Sequence, residues 1–277
     1  MPDWTPPQKI ESLYAATDGN NFSAINAPTA GARVQKALPR GPAKYQLYSA
    51  PTPNGFKASI ALEEFGVDYD AWTVNISKAE QFTSGFVGVN PNSKIPAMYD
   101  YDTPSGEPIR VFESGAIVVH LALKYGKFFP QDPAKRAEVL SWVFWQVGGQ
   151  GPMTGNFGHF FVYAPGDKHE ARNYGVARYG MEVQRLCDVL EKHLADGRPY
   201  LVGDEYTIAD MMCMPWFLTL RGGYKHSTGT RAREFLGVDK YKHAMAWCDR
   251  IMARPPVKRG LQVCVGGVGK PWLKAKV

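Results

Sequence analysis

The spacing of apolar and polar positions changes character twice along the chain. Residues 1–43 contain six prolines and no apolar stripe of any period, which predicts an irregular arm with no core of its own. From residue 44 short strand-like and helix-like segments alternate. Lys44-Tyr45-Gln46-Leu47-Tyr48-Ser49 predicts a strand punctuated by Pro51-Thr52-Pro53-Asn54-Gly55. Residues 55–65 place Phe56, Ile60 and Phe65 on one helical stripe, and Gly66 is a natural stop. Residues 70–76, with Ala71-Trp72-Thr73-Val74, predict a second strand. A loop-rich stretch through Asn92 leads to Lys94-Ile95-Pro96-Ala97-Met98 and a strand near 97–101. A turn over 102–107 joins that strand to a hairpin partner, Ile109-Arg110-Val111-Phe112. Glu113-Ser114-Gly115 then opens a helix reaching about Tyr125, closed by Gly126 and Pro130.

From Pro133 the pattern is helical and poor in strand signals. One helix is expected over 133–147, broken by the glycines at 148, 149, 151 and 155, and another over 169–194. Thr207-Ile208-Ala209-Asp210 has the form of a capping box that starts an apolar helix through Leu220, and a last helix spans about 240–253. The order β-α-β-(loop or helix)-β-β-α is that of a thioredoxin-like α/β domain, with parallel strands first and an antiparallel hairpin second. The expected organisation is therefore an arm (1–43), a thioredoxin-like domain (44–130), an all-helical domain (133–260) and a basic tail (261–277).

Composition narrows the class. Apolar residues at 44% and charged residues at 21% describe a packed chain rather than a disordered one. The longest apolar runs, such as residues 116–123, are too short to span a bilayer. The first residues have none of the basic-then-apolar order of a secretory signal, so a cytoplasmic protein is expected. Net charge is +6, but basic and acidic residues interleave except in the tail, which favours a solvated tail over contact with nucleic acid or membrane. The four cysteines (Cys187, Cys213, Cys248, Cys264) form no Cys-x-x-Cys pair, and the histidines have no metal-ligand spacing, so no disulfide framework and no metal are expected. With no cysteine before Cys187, any redox chemistry of the front domain needs a thiol from outside the chain.

Four motifs stand in order: Thr52-Pro53-Asn54-Gly55, Asn90-Pro91-Asn92-Ser93-Lys94-Ile95-Pro96-Ala97, Phe112-Glu113-Ser114-Gly115 and Gly203-Asp204-Glu205-Tyr206-Thr207-Ile208-Ala209-Asp210. Together they resemble the glutathione transferase superfamily. With Phe22-Ser23-Ala24-Ile25-Asn26 and Phe157-Gly158-His159-Phe160 they look like its Nu class, the glutathione-dependent disulfide reductases related to fungal nitrogen-regulator prion homologues. The likeness runs from about Phe22 to about Gly260.

The resemblance implies a homodimer that binds glutathione, reduced or as its disulfide, together with a small disulfide or electrophile. It also implies a cis Ile95-Pro96 bond that leaves the Ile95 backbone free to pair with an extended tripeptide. Glu113-Ser114 alone could be a helix cap. Beside Ile95-Pro96 the pair becomes a site for the γ-glutamyl carboxylate and ammonium, because the first N–H groups of a helix are unpaired and partly positive. By propensity Asn54 is an N-cap. By resemblance Thr52 and Asn54 stabilise the glutathione thiolate, with Ser49 a weaker substitute. Asn26, Gln81 and Arg178 match ligand-contacting positions, although without the resemblance all three read as exposed polar residues. Lys94 could act similarly or be solvated. The aromatic run Phe157, His159, Phe160, Phe161, Tyr163 either packs helices together or walls a second-substrate pocket. The expected activity is disulfide reduction by a bound glutathione thiolate, with two glutathiones per site. Transferase or hydroperoxide peroxidase activity is one alternative, and a non-catalytic regulatory protein another.

Overall fold

The computed structural model describes residues 5–17, 25, 27–164 and 169–274. β1 (Tyr45–Ser49) is one of the two inner strands of a four-stranded sheet and is buried at every position. It pairs in parallel with β2 (Tyr69–Thr73) and antiparallel with β3 (Ala97–Asp100), which pairs antiparallel with β4 (Ile109–Phe112), giving the order β2-β1-β3-β4. The β1–β2 crossover is α1 (Pro53–Phe65); α2 (Ser84–Val89) precedes β3, and α3 (Ser114–Tyr125) follows β4. Side chains alternate across β1. Tyr45 and Leu47 join Ile60, Leu62, Ile117 and Leu121 on one face, while Tyr48 packs with Phe86 and Val89 on the other.

The remainder is helical: α4 (Pro133–Trp145), α5 (Gly151–Gly158), α6 (His169–His193), α7 (Ile208–Leu218), α8 (Ala232–Phe235), α9 (Lys242–Met252) and α10 (Pro255–Gly260). These helices share one apolar core with the α1 and α3 face of the sheet. Thr207 and Asp210 form the expected capping box at the start of α7. Gly66 (φ 68°) and Gly126 (φ 61°) end α1 and α3 in the left-handed conformation, as their positions predict.

Several expectations need correction. The glycines after residue 147 do not break the helix. A π-helical turn, Gln146–Gln150, carries α4 directly into α5, and a second, His159–Tyr163, follows α5. Close approach accounts for Gly151, where an added Cβ would lie 2.8 Å from Gln146 Nε2, and for Gly158 further on, where it would lie 2.2 Å from the Tyr224 ring, whereas Gly148 and Gly149 face open space. The single apolar stripe on α1 is also too narrow a description. Gly55, Lys57, Ala58, Ser59, Ile60, Ala61, Leu62 and Phe65 are all buried, because α1 lies between the sheet and the helical half. Thr52, and not Asn54, caps α1, accepting from the Gly55 N–H, and Pro53 takes the first helical position.

Nor is the basic tail simply solvated. Val263 and Cys264 are buried, and the Lys270 ammonium sits 4.3 Å from the Tyr69 ring centroid. The end of the arm is tied down: Arg33 N–H donates to Phe82 C=O, and Ser84 N–H donates to Val34 C=O.

Candidate functional site

A cleft of about 660 Å³ lies where the starts of α1 and α3 face the helical half. Of the residues singled out in the sequence, Thr52, Asn54, Gln81, Ile95, Glu113 and Ser114 line it together, and Lys94 joins them. Asn26 lies outside the described residues, although its neighbour Ile25 lines the cleft. Arg178 is not brought there; it is exposed on α6 and is absent from the lining. Ser49 is buried and also absent from the lining. The aromatic run divides. His159 and Tyr163 face the cleft, whereas Phe157 and Phe161 stack within the core, 5.1 Å between centroids.

Each wall has a local cause. The Ile95-Pro96 peptide is cis, and among the described residues neither the N–H nor the C=O of Ile95 has a partner in the chain. Glu113 holds φ 70° and ψ 125°, a conformation costly for a residue with a Cβ and found where a binding site requires it. The kink leaves the N–H groups of Ser114, Gly115 and Ala116 ahead of the first α3 bond, from Ile117 N–H to Glu113 C=O at 3.0 Å. The opposite wall is built by π-helical turns. His159–Tyr163 supplies both of its ends, and Thr219–Gly223, which follows Pro215 inside α7, supplies Thr219 and Gly223. Such turns recur at functional sites because they re-aim side chains within an otherwise regular helix.

Three polar side chains share one arrangement, with the acceptor engaged and the donor left open. Thr52 Oγ1 accepts from the Gly55 N–H at 3.2 Å. Asn54 Oδ1 accepts from Lys57 Nζ at 2.8 Å and from Trp216 Nε1 at 2.9 Å. The indole nitrogen can only donate, so the Asn54 oxygen must face it and the amide N–H₂ points elsewhere. Ser114 Oγ accepts from Lys57 Nζ at 3.3 Å. The open hydrogens, with two helix starts, suit an anion. Gln81 supplies the opposite polarity. Its Nε2 reaches the Ile76 C=O at 3.5 Å, while its buried Oε1 has no partner. With the exposed Glu113 carboxylate it offers acceptors to an ammonium or amide. A zwitterionic peptide with anionic and cationic ends fits this donor–acceptor division.

Sequence reasoning missed Lys57 and Trp216. Lys57 is only 1% exposed, and burial pushes its ammonium down to about 7, against the opposing pull of Cys213 and Glu113. Burial also pushes the Cys213 thiol well above its usual range, leaving Glu113 as the neighbouring anion near neutral pH. The signal for a buried Lys57 was the run of small residues Gly55, Ala58, Ser59 and Ala61, which marks a helix packed on more than one side. Burial and nearby Arg172 hold His159 below the ordinary imidazole range. Among the described residues no three His, Cys, Asp or Glu side chains gather to hold a metal ion, and no helix is long and apolar enough to cross a membrane.

A thioredoxin-like sheet whose α1 and α3 starts open on a cleft shared with a helical bundle defines the glutathione transferase class. Residues 43–123 match the glutathione S-transferase N-terminal domain, and residues 178–255 match its C-terminal domain. The chain is 48% identical to the disulfide-bond oxidoreductase YghU of Escherichia coli over 250 residues, 87% of this chain and 82% of that protein. Among solved structures, glutathione transferase YghU of Streptococcus pneumoniae, complexed with glutathione, superposes with a TM-score of 0.84 at 41% identity. That match covers 94% of this chain and 98% of the other. A glutathione transferase of Burkholderia graminis with two glutathione molecules bound per subunit matches at TM-score 0.76 and 36% identity, over 95% and 99% of the two chains. The chain belongs to the glutathione S-transferase family.

Proposed function

We propose that this protein is a glutathione-dependent disulfide-bond reductase whose reactive sulfur belongs to bound glutathione. The observation that carries the reading is the set of open donors at Thr52, Asn54 and Ser114, beside the unpaired Ile95 backbone and the acceptors Glu113 and Gln81. Support comes from the Escherichia coli relative, named a disulfide-bond oxidoreductase, and from the Burkholderia graminis relative, which holds two glutathiones per subunit.

In this reading the γ-glutamyl carboxylate meets Ser114 and the α3 start, and its ammonium meets Glu113. The tripeptide backbone pairs with Ile95, and Thr52 and Asn54 donate to the sulfur. A free thiol titrates near 8.5, so holding it as thiolate near neutrality takes roughly 2 to 3 kcal/mol of preferential stabilisation, within reach of two donors and a helix start. The thiolate attacks one sulfur of a disulfide, forming a mixed disulfide and expelling the other sulfur as a thiolate, which takes up a proton. A second glutathione thiolate attacks the mixed disulfide, releasing the second product thiol and glutathione disulfide. All four cysteines are buried, and burial raises their pKa, so none competes as nucleophile.

The same reading makes the protein a cytoplasmic homodimer, in line with its four free cysteines. Tyr174 and Met181 on α6 and Phe144 on α4 are exposed large apolar residues suited to a subunit interface. Arg178 lies between Tyr174 and Met181 at helical spacing, so its contact with glutathione would be made across that interface.

The test compares turnover of a small mixed disulfide with that of a chloronitrobenzene, both with glutathione. Faster disulfide turnover upholds the reading. Faster conjugation moves the protein to the transferase alternative, and tight binding without either turnover makes it a regulatory binder.

A further inference from the structure

The exchange chemistry above gives Lys57 no part, yet this lysine connects the site's components. It rises from α1 and is 1% exposed, and three oxygens accept from its Nζ: Asn54 Oδ1 at 2.8 Å, Ser114 Oγ at 3.3 Å, and Gln146 Oε1. They come from α1, from the start of α3 and from the π-helical turn after α4, so both halves of the molecule contribute. An ammonium has three N–H bonds and no acceptor. All three are used, and each partner must present an oxygen lone pair to Lys57.

This fixes the polarity of the site. Asn54 Oδ1, held between Lys57 and Trp216, cannot exchange places with its N–H₂. Ser114 cannot donate to an ammonium, so its hydrogen turns away from Lys57. On the reading of this cleft as a glutathione site, we infer that Lys57 is a positioning residue whose charge sets Asn54 and Ser114 as donors to the ligand, and that an anionic ligand in turn holds the proton on Lys57.

A neutral amine would keep two N–H bonds and turn a lone pair toward one of the three oxygens, releasing Asn54, Ser114 or Gln146 and so loosening the set that fixes the two donors. Burial brings Lys57 to about 7, near that change, with Glu113 from α3 as the opposing anion, Cys213 from α7 kept neutral by its own burial, and Gln146 uncharged. A carboxylate arriving at Ser114 adds negative charge close to Nζ and raises its proton affinity. Binding therefore takes up a proton on the alkaline side of neutrality.

S-methylglutathione isolates this effect because it has no ionisable thiol. Calorimetry of the full-length protein slightly above pH 7, in buffers of different ionisation enthalpy, should record proton uptake on binding. Lys57→Met should abolish the uptake, weaken the ligand tenfold or more and raise the pKa of bound glutathione's thiol, followed by the ultraviolet absorbance of the thiolate. Lys57→Arg, which keeps the charge, should recover part of the affinity. A folded Lys57→Met protein with wild-type affinity and wild-type proton uptake would overturn the inference. Wild type alone provides a second check if Lys57→Met does not fold. With ¹⁵Nζ-labelled lysine, one ammonium signal should titrate near neutrality and move upward with ligand, and its absence would equally overturn the inference. A wild type that binds neither glutathione nor S-methylglutathione would instead remove the glutathione reading, and this inference with it.

Discussion

The start of α7 and the starts of α1 and α3 use the same residue types in opposite ways. At α7 every polar atom of the cap is matched. Asp210 Oδ1 accepts from Leu201 N–H (3.0 Å) and Trp247 Nε1 (2.8 Å), Oδ2 accepts from Thr207 N–H (3.0 Å), and the residue is 0% exposed. At α1 and α3 the acceptors are matched and the donors are left open toward a cleft. A helix start that completes its own hydrogen bonds is a joint of the fold, and one that stops halfway is a place for a ligand.

The largest expected effect would sharpen this contrast from its closed side. Asp210→Ala leaves the Leu201, Thr207 and Trp247 donors buried without partners, so stability should fall by about 3 kcal/mol or more in urea unfolding. The protein that remains folded should bind glutathione as wild type does. An Asp210→Ala chain of unchanged stability would erase the distinction. On the open side Ser114→Ala should do the reverse. Glutathione affinity should drop by about tenfold to a hundredfold, roughly 1.4 to 2.7 kcal/mol, with unfolding shifted far less. Titration calorimetry beside a urea curve reads both.

Thr52→Ala tests the sulfur end. Binding should persist while kcat/KM for a disulfide falls about tenfold, near 1.4 kcal/mol; unchanged turnover would pass the thiolate-stabilising role to Asn54. The last effect is spread over a pH range and is small only over a fraction of a unit. Lys57 titrates at about 7 in the folded chain, below its ordinary value of 10.5. Between those values the unfolded chain carries the extra proton, so ligand-free stability should rise with pH, by at most about 1.4 kcal/mol per unit. Lys57→Met should flatten that part of the stability–pH curve, and two parallel curves would refute the assignment.

How much of this was legible in the sequence depends on the range of the interaction. Gly66, Gly126 and the Thr207–Asp210 box act within a few residues, and their roles could be read directly. Thr52, Asn54, Ile95, Glu113 and Ser114 could be named because they belong to motifs at element ends that carry the family resemblance, and Gln81 from the resemblance alone; all six line the cleft. Lys57 was not legible, because its three partners lie up to 89 positions away and its helix looked one-sided. The glycines after residue 147 misled for a related reason. Alone they weaken a helix by about 1 kcal/mol each; Gly151 packs against Gln146 and Gly155 against Trp216, whereas Gly148 and Gly149 face open space within the π-helical turn. Arg178 was named from the resemblance as a ligand-contacting position but is exposed outside the cleft of its own chain.

The end of α10 closes against the beginning of the ligand cradle. Gly260 sits where an added Cβ would be 2.7 Å from the Ile60 Cα, and its carbonyl accepts from Ser59 Oγ at 2.7 Å. Just before it, Arg254 grips Glu64 through two hydrogen bonds, at 2.6 and 2.8 Å. During synthesis the sheet and α1 emerge first, but the groups that clamp α1 arrive roughly two hundred codons later. A ribosome stalled before residue 254 would thus display a nascent chain with every cleft motif translated and α1 still unclamped.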